Sequence, residues 1–277
     1  MNIRTDLIAE TKEQQSKKLS GVKTSEECLG DVNISTVWVS DDKTCRLLQK
    51  PKGTYCTVSF PRLDLVCDTA DIINAVTKCL KTVFDRSIKN VLVVGLGNTD
   101  ITPDALGPIV CNRVLATRHL SENLKRNLGL DGLKSVSCLA PNVLGKTGIE
   151  SYDLIFAASK KVCPDAIIAV DALAARSHER LCRTIQISNS GICPGAGVNN
   201  SRKELSQKTI GVPVIAVGIP TVIDANSFFD GSKPTADMMV TPKEIDLLIE
   251  KSAQILSRAI NIFLQPSLDI DIIESLT

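Results

Sequence analysis

A chain of 277 residues can bury one large core, and its 43% apolar and 23% charged content is that of an ordinary globular protein. With 32 basic against 31 acidic residues the net charge is only +1, which argues against a dedicated nucleic-acid binder. No apolar run approaches the ~18 residues needed to span a bilayer, and Met1–Lys18 has no apolar stretch of the secretory kind, so a cytoplasmic protein without a membrane anchor is expected.

Ten cysteines are scattered with no C-x-x-C pair, and His119 and His178 are the only histidines. Neither a disulfide framework nor a zinc cluster is expected from that spacing, and no cofactor is implied. The cysteines read as small buried apolar residues.

Residues of about 20–60 are β-prone, with Ile34–Val39 and Tyr55–Phe60 as strand candidates, and form a β-rich excursion from the remainder of the chain. Val91–Gly97 reads as a buried strand, and a helical stretch is expected from Asp104 to about Leu124. Ala166–Asp171, Thr184–Ser188 and Val212–Gly218 are further strands. Short, wholly apolar runs separated by helical patterns are what a mostly parallel sheet covered by helices requires, so the class is α/β. Thr241-Pro242-Lys243-Glu244 has the form of a capping box with proline at the first helical position. The face Ile245, Leu248, Ile249, Leu256, Ile260, Phe263 comes next, and Pro266 stops the helix. No repeat or low-complexity linker divides the chain.

Gly95-Leu96-Gly97 at a strand end has two glycines of the dinucleotide fingerprint, but the third position holds Asp100. A tight turn that lets the chain leave a buried strand is the plainer reading of the pair. Thr102-Pro103-Asp104 then places a carboxylate in a helix's first turn, where the dipole favours its charge. Pro108, one turn later, cannot donate to the carbonyl of residue 104, so an irregular helix entry is expected. Asp171 ends an apolar strand, where a charge is costly unless paired, neutralised or placed at a cleft. Crevices open at the carboxyl ends of parallel strands, so Asp104 and Asp171 are candidates to meet across one. Two close carboxylates share a proton, giving an acid and a base that can activate water. On the residues alone a charge that merely compensates the dipole is the plainer reading of Asp104, and the site is only a candidate acidic one.

Several longer segments add to this. Arg4–Leu7, Gly95–Asn98 with Thr102–Pro108, Gly145–Glu150, Asp171–Arg176, Thr184–Ser188, Gly191–Asn199, Gly218–Val222 and Met239–Asp246 resemble, in order, the spore germination proteases, peptidase family A25. The resemblance implies an endopeptidase that begins the degradation of small acid-soluble spore proteins at germination, acting in the spore core as a homotetramer. It implies a fold like that of hydrogenase maturation proteases and a catalytic pair matching Asp104 and Asp171. The related maturation proteases bind a metal through acidic residues and a histidine. Here Cys193 stands where the family more usually has histidine, and Asn189 and Asn199 are atypical of that loop.

Family members are zymogens that remove a short N-terminal segment themselves. Asp6-Leu7-Ile8-Ala9-Glu10 resembles the processing site, which implies a prosegment of residues 1–6 and an α/β peptidase domain from 7 to 277. Arg176 and Arg180 are candidates to pair with Asp171 or to bind acidic residues beside the cut bond, with exposed helical charges as the plainer reading. His178 between them reads as a surface residue. A metal-dependent maturation-type protease and a non-catalytic nucleotide-binding module are the competing functions.

Overall fold

Short runs of β-branched and apolar residues form nine strands in a computed structural model that describes residues 5–13, 21–84, 88–127, 130, 132–196, 202–228 and 238–277. The strands are β1 (Val22–Leu29), β2 (Val32–Val39), β3 (Gly53–Ser59), β4 (Asn90–Gly95), β5 (Ser135–Leu139), β6 (Ala166–Ala175), β7 (Thr184–Ser188), β8 (Val214–Asp224) and β9 (Met239–Val240). Helices α1 (Ile8–Glu13), α2 (Asp42–Leu48), α3 (Ala70–Val83), α4 (Leu106–Asn112), α5 (Glu122–Asn127), α6 (Leu144–Thr147), α7 (Ser151–Val162), α8 (Gln207–Ile210), α9 (Ile245–Leu264) and α10 (Ile270–Leu276) complete the described elements. None of the described helices is long and apolar enough to cross a membrane.

One sheet runs in the order β1-β2-β3-β7-β8-β6-β4-β5, with β9 added to β8. The block β8-β6-β4-β5 is parallel. The strands β1, β2, β3 and β7 extend it through antiparallel pairs. The β-rich N-terminal excursion expected from the sequence is therefore built into the sheet itself, and the α/β class stands.

Alternation fixes the two faces. Val91, Val93, Ile168 and Val170 enter the larger core with α3, α4 and α9. Leu92, Val94, Ile167 and Ala169 enter the smaller one with Tyr152 and Ile155 of α7. Burial on both faces explains why these strands are apolar throughout. Asp171, next in the alternation after Val170, projects to the α7 side.

Two local expectations are corrected. The helical stretch 104–124 is broken: Thr102–Asp104 is a single 3-10 turn, α4 begins at Leu106, and the next described helix is α5. Pro108 falls in the first turn of α4, where its missing N–H leaves no bond unmade, and this proline-containing entry separates the two pieces. Thr241 does not cap α9. Its hydroxyl donates to the Thr221 carbonyl (2.8 Å), and Glu244 takes the cap position without a side-chain bond.

Candidate active site

The exit from β4 sets the position of Asp104. Gly97 has φ +119°, and a Cβ there would run into the Asp104 carbonyl oxygen. A Cβ on Gly107 would likewise meet the carbonyls of Leu96 and Val170. The glycine pair thus serves close packing of the chain on itself, the plainer of the two readings from sequence. Leu96 N–H donates to the Val170 carbonyl (2.8 Å), and Asn98 N–H to the Asp104 carbonyl (3.1 Å). The Thr221 hydroxyl donates to the Pro103 carbonyl (2.7 Å). The turn carrying Asp104 is pinned from β4, β6 and β8.

Asp171 is 6% exposed at the point where β6 passes this turn. Its Oδ1 accepts from the Ala172 N–H at 2.9 Å. Burial first, then the negative charges of Asp104 and Asp6, push its carboxyl well above the ordinary range. Burial also raises Asp104, to about 6, partly opposed by a hydrogen bond from the Asn98 backbone. Both aspartates line one cavity of about 660 Å³, whose wall also carries the Arg202–Glu150 ion pair (3.5 Å). The structure therefore brings together the two carboxylates that the sequence nominated.

A second cavity, about 280 Å³, shares Asp171 with the first and is lined by Asp6, Lys50, Tyr55 and Gln186. The N-terminal segment is seated here. Asp6 N–H donates to the Ala174 carbonyl (3.1 Å), and Ala174 N–H returns a bond to Asp6 Oδ2 (2.9 Å). Leu7 and Ile8 have no exposed surface; Leu7 packs on Leu173 and Ala175, and Ile8 belongs to the cluster of Val37, Leu48 and Tyr55. Glu10, 4% exposed, accepts from the backbone N–H groups of Arg176 (2.9 Å) and Ser177 (2.8 Å) and from the Thr5 hydroxyl. Residues 5–10 are docked rather than a solvated tail. Arg4 lies outside the described residues.

The arginines are placed differently from one of their expected roles. Neither lines either cavity beside Asp171. Arg176 contributes its backbone N–H to Glu10, and Arg180 Nε lies 4.0 Å from Glu10 Oε1. Both thus address an acidic residue four positions after Asp6, not the aspartate at the strand end. His178 is exposed, its ring 6.2 Å from that of Phe228. Cys193 Sγ donates to the Arg202 carbonyl (3.1 Å), and Asn189 Oδ1 accepts from the Thr54 N–H (2.8 Å), a structural role. Asn199 lies outside the described residues. Among the described residues no three His, Cys, Asp or Glu side chains gather as metal ligands.

Two residues escaped the sequence reading. Lys50 Nζ donates to the carbonyls of Asp6 (2.8 Å) and Thr5 (3.3 Å). Burial lowers the ammonium's pKa, against the pull of Asp6 and Glu10. Gln186 Nε2 donates to the same Asp6 carbonyl (2.9 Å), while its Oε1 accepts from the Ile8 N–H (2.6 Å). The available signal was the lone amide in Thr184-Ile-Gln-Ile-Ser188, a polar side chain in a strand of the covered sheet. Lys50 sits in a turn before Pro51 and gives no such signal.

An α/β sheet that faces one cavity at its strand ends with two carboxylates, both raised by burial, has groups suited to acid–base chemistry. Comparison with known proteins makes that particular. Residues 2–233 match the family profile described as germination protease. The chain is 38% identical to the germination protease of Clostridium acetobutylicum over 97% of each protein. It is 46% identical to that of Priestia megaterium over 82% of this chain and 65% of that protein. A [NiFe] hydrogenase maturation protease from Thermococcus kodakarensis aligns over 68% of this chain and 97% of that one at 16% identity, with a TM-score of 0.40. The chain belongs to the germination protease family and is a peptidase.

Proposed function

We propose that this peptidase is the endopeptidase that opens the degradation of small acid-soluble spore proteins at germination, with Asp104 and Asp171 as its water-activating pair. The observation that carries the reading is the shared cavity: both carboxylates line it, and burial holds both toward the neutral form. Asp171, the more buried, keeps the proton and acts as acid. Asp104 is the base and removes a proton from the attacking water. Because the pair is coupled, its pH–rate profile belongs to both groups together. No step needs a cofactor or direct nucleic-acid contact.

The same proposal includes a zymogen that releases residues 1–6 by cutting Asp6–Leu7. The burial of that bond's flanks beside Asp171 supports it, as does the seating of Glu10 by Arg176 and Arg180. A spore protein presenting the acidic–apolar–x–small–acidic pattern would occupy the same contacts. Assembly as a homotetramer in the spore core completes the reading. Incubation with a small acid-soluble spore protein, followed by mass spectrometry of the fragments, tests it. Products cut after an acidic residue and before an apolar one support the assignment, and an intact substrate removes it.

A further inference from the structure

We infer that Lys50 and Gln186 are catalytic residues: together they hold, and in the transition state stabilise, the carbonyl oxygen of the bond being cut. The inference rests on the reading of Asp6–Leu7 as the bond that the protein cuts in itself. The oxygen of that bond is the Asp6 carbonyl, and two side-chain donors lining the cavity converge on it, Lys50 Nζ at 2.8 Å and Gln186 Nε2 at 2.9 Å. An amide carbonyl in a buried segment needs one partner; here it has two, one of them an ammonium.

Gln186 also fixes the far side of the bond. Its Oε1 accepts the Ile8 N–H at 2.6 Å, so one planar amide spans Asp6 to Ile8 and sets the orientation of the peptide between them. The Asp6 side chain is fixed separately by the Ala174 N–H. The cavity that holds Lys50 and Gln186 is also lined by Asp171. In the reaction a water oxygen bonds to the Asp6 carbonyl carbon as its proton passes to the carboxylate pair, in which Asp171 lines this cavity and Asp104 the adjoining one that Asp171 also borders. The carbonyl π pair moves onto oxygen, where Lys50 and Gln186 donate to the developing negative charge. The C–N bond to Leu7 then breaks, and Asp171 supplies the proton that the leaving nitrogen takes. The products are a carboxylate at Asp6 and an amine at Leu7, with one water consumed. Donors already in place when charge appears are the arrangement that lowers such a barrier most.

The test replaces the donors and separates kcat from KM on a small acid-soluble spore protein. Lys50→Met keeps the stem and removes the donor, Lys50→Arg keeps a donor, and Gln186→Leu removes the amide. Loss of one such donor is expected to lower kcat roughly 100-fold while KM moves less than about threefold, with partial recovery in Lys50→Arg. A Lys50→Met protein with kcat within about twofold of the parent, or one whose loss lies wholly in KM, would overturn the assignment. Should Lys50→Met fail to fold, infrared spectroscopy decides with native donors in place. Carbon-13 at the Asp6 carbonyl of an Asp171→Asn chain should give a stretch shifted to lower frequency than a solvent-exposed amide, and an unshifted band overturns the proposal. If the parent cuts spore protein but never releases residues 1–6, the self-processing reading falls. The kcat comparison then decides on the donor pair alone.

Discussion

Gln186 and Asp171 lie on one row of the sheet, each paired with Gly218 of the strand between them. Side chains on directly paired residues project to the same face, so the amide and the carboxylate face the N-terminal segment together. Gly218 leaves the space between them open. A peptide lying across β6, β8 and β7 can therefore touch the acid on one side and the amide on the other.

That relationship predicts the effect of filling the gap. A Cβ on Gly218 would stand 2.6 Å from Leu173 Cγ and 2.8 Å from the Asp171 carbonyl oxygen, so β6 must shift. Gly218→Ala should cost about 1–3 kcal/mol of stability, as overpacked sites do. It should also lower peptidase activity by more than the loss of folded protein explains. Thermal melts and activity per folded molecule check this; an alanine variant as active and as stable as the parent would show that the row tolerates a side chain.

Asp104→Asn and Asp171→Asn preserve shape and remove acid–base capacity. Each should reduce cleavage of spore protein by at least ~100-fold, the usual scale for a positioned general acid or base. Circular dichroism should be unchanged, since neither side chain supplies packing that asparagine lacks. Near-parental cleavage by either variant would sink the dyad.

The same substitutions should stabilise the fold, and the sign comes from linkage. Burial raises the Asp104 carboxyl from its ordinary 3.8 to about 6, so the folded state holds the proton more tightly than the unfolded chain. Stability from this group is complete below about pH 4 and is lost as pH rises through about 6. Asp171 is raised in the same direction by burial and by Asp104. At pH 7 Asp104→Asn should therefore be more stable than the parent by roughly 1–2 kcal/mol, after discounting for the solvent that reaches Asp104. The gap should close at pH 4. Urea denaturation at the two pH values measures it, and a gap that widens on acidification contradicts the burial argument.

How much of this the sequence disclosed depended on whether the signal was local. β4, β6 and β8 were readable because strands buried on both faces carry uninterrupted apolar runs, and Asp171 stood out as a charge ending one of them. Asp104 was found through its turn, yet the helix assigned after it was too long. There the close packing of Gly107 on the carbonyls of Leu96 and Val170 decides where α4 begins, and that contact is tertiary. Thr241 had the form of a cap, but its hydroxyl bonds a strand distant in sequence. Lys50 and Gln186 meet only because Lys50 and the Gln186 strand flank the docked N-terminal segment, separated by more than a hundred residues in the chain. Pairing of the arginines with Asp171 failed for the complementary reason. Proximity in sequence suggested it, whereas the chain after β6 turns its backbone N–H groups toward Glu10.

Glu10 is the anchor of the docked segment, and its removal gives the last prediction. Its carboxylate is 4% exposed, receives the N–H groups of Arg176 and Ser177 at 2.9 and 2.8 Å, and lies 4.0 Å from Arg180 Nε. Glu10→Ala leaves two buried N–H groups unpaired, at a cost of about 1–3 kcal/mol apiece unless the segment lets go and water enters. Release lets water satisfy the freed N–H groups, at the loss of the Leu7 and Ile8 apolar contacts and of the bonds to Ala174, Lys50 and Gln186, which water can replace. The amides of Arg176 and Ser177 should then exchange hydrogen much faster than in the parent, while those of β4 should not change. Self-release of residues 1–6 should slow, since Asp6 no longer sits against Ala174, Lys50 and Gln186. Glu10→Gln, which keeps an acceptor, should retain part of the protection. Unchanged exchange at Arg176 and Ser177 in Glu10→Ala would mean that Leu7 and Ile8 alone hold the segment. The acidic residue would then matter for recognising substrates rather than for seating the chain's own N-terminus.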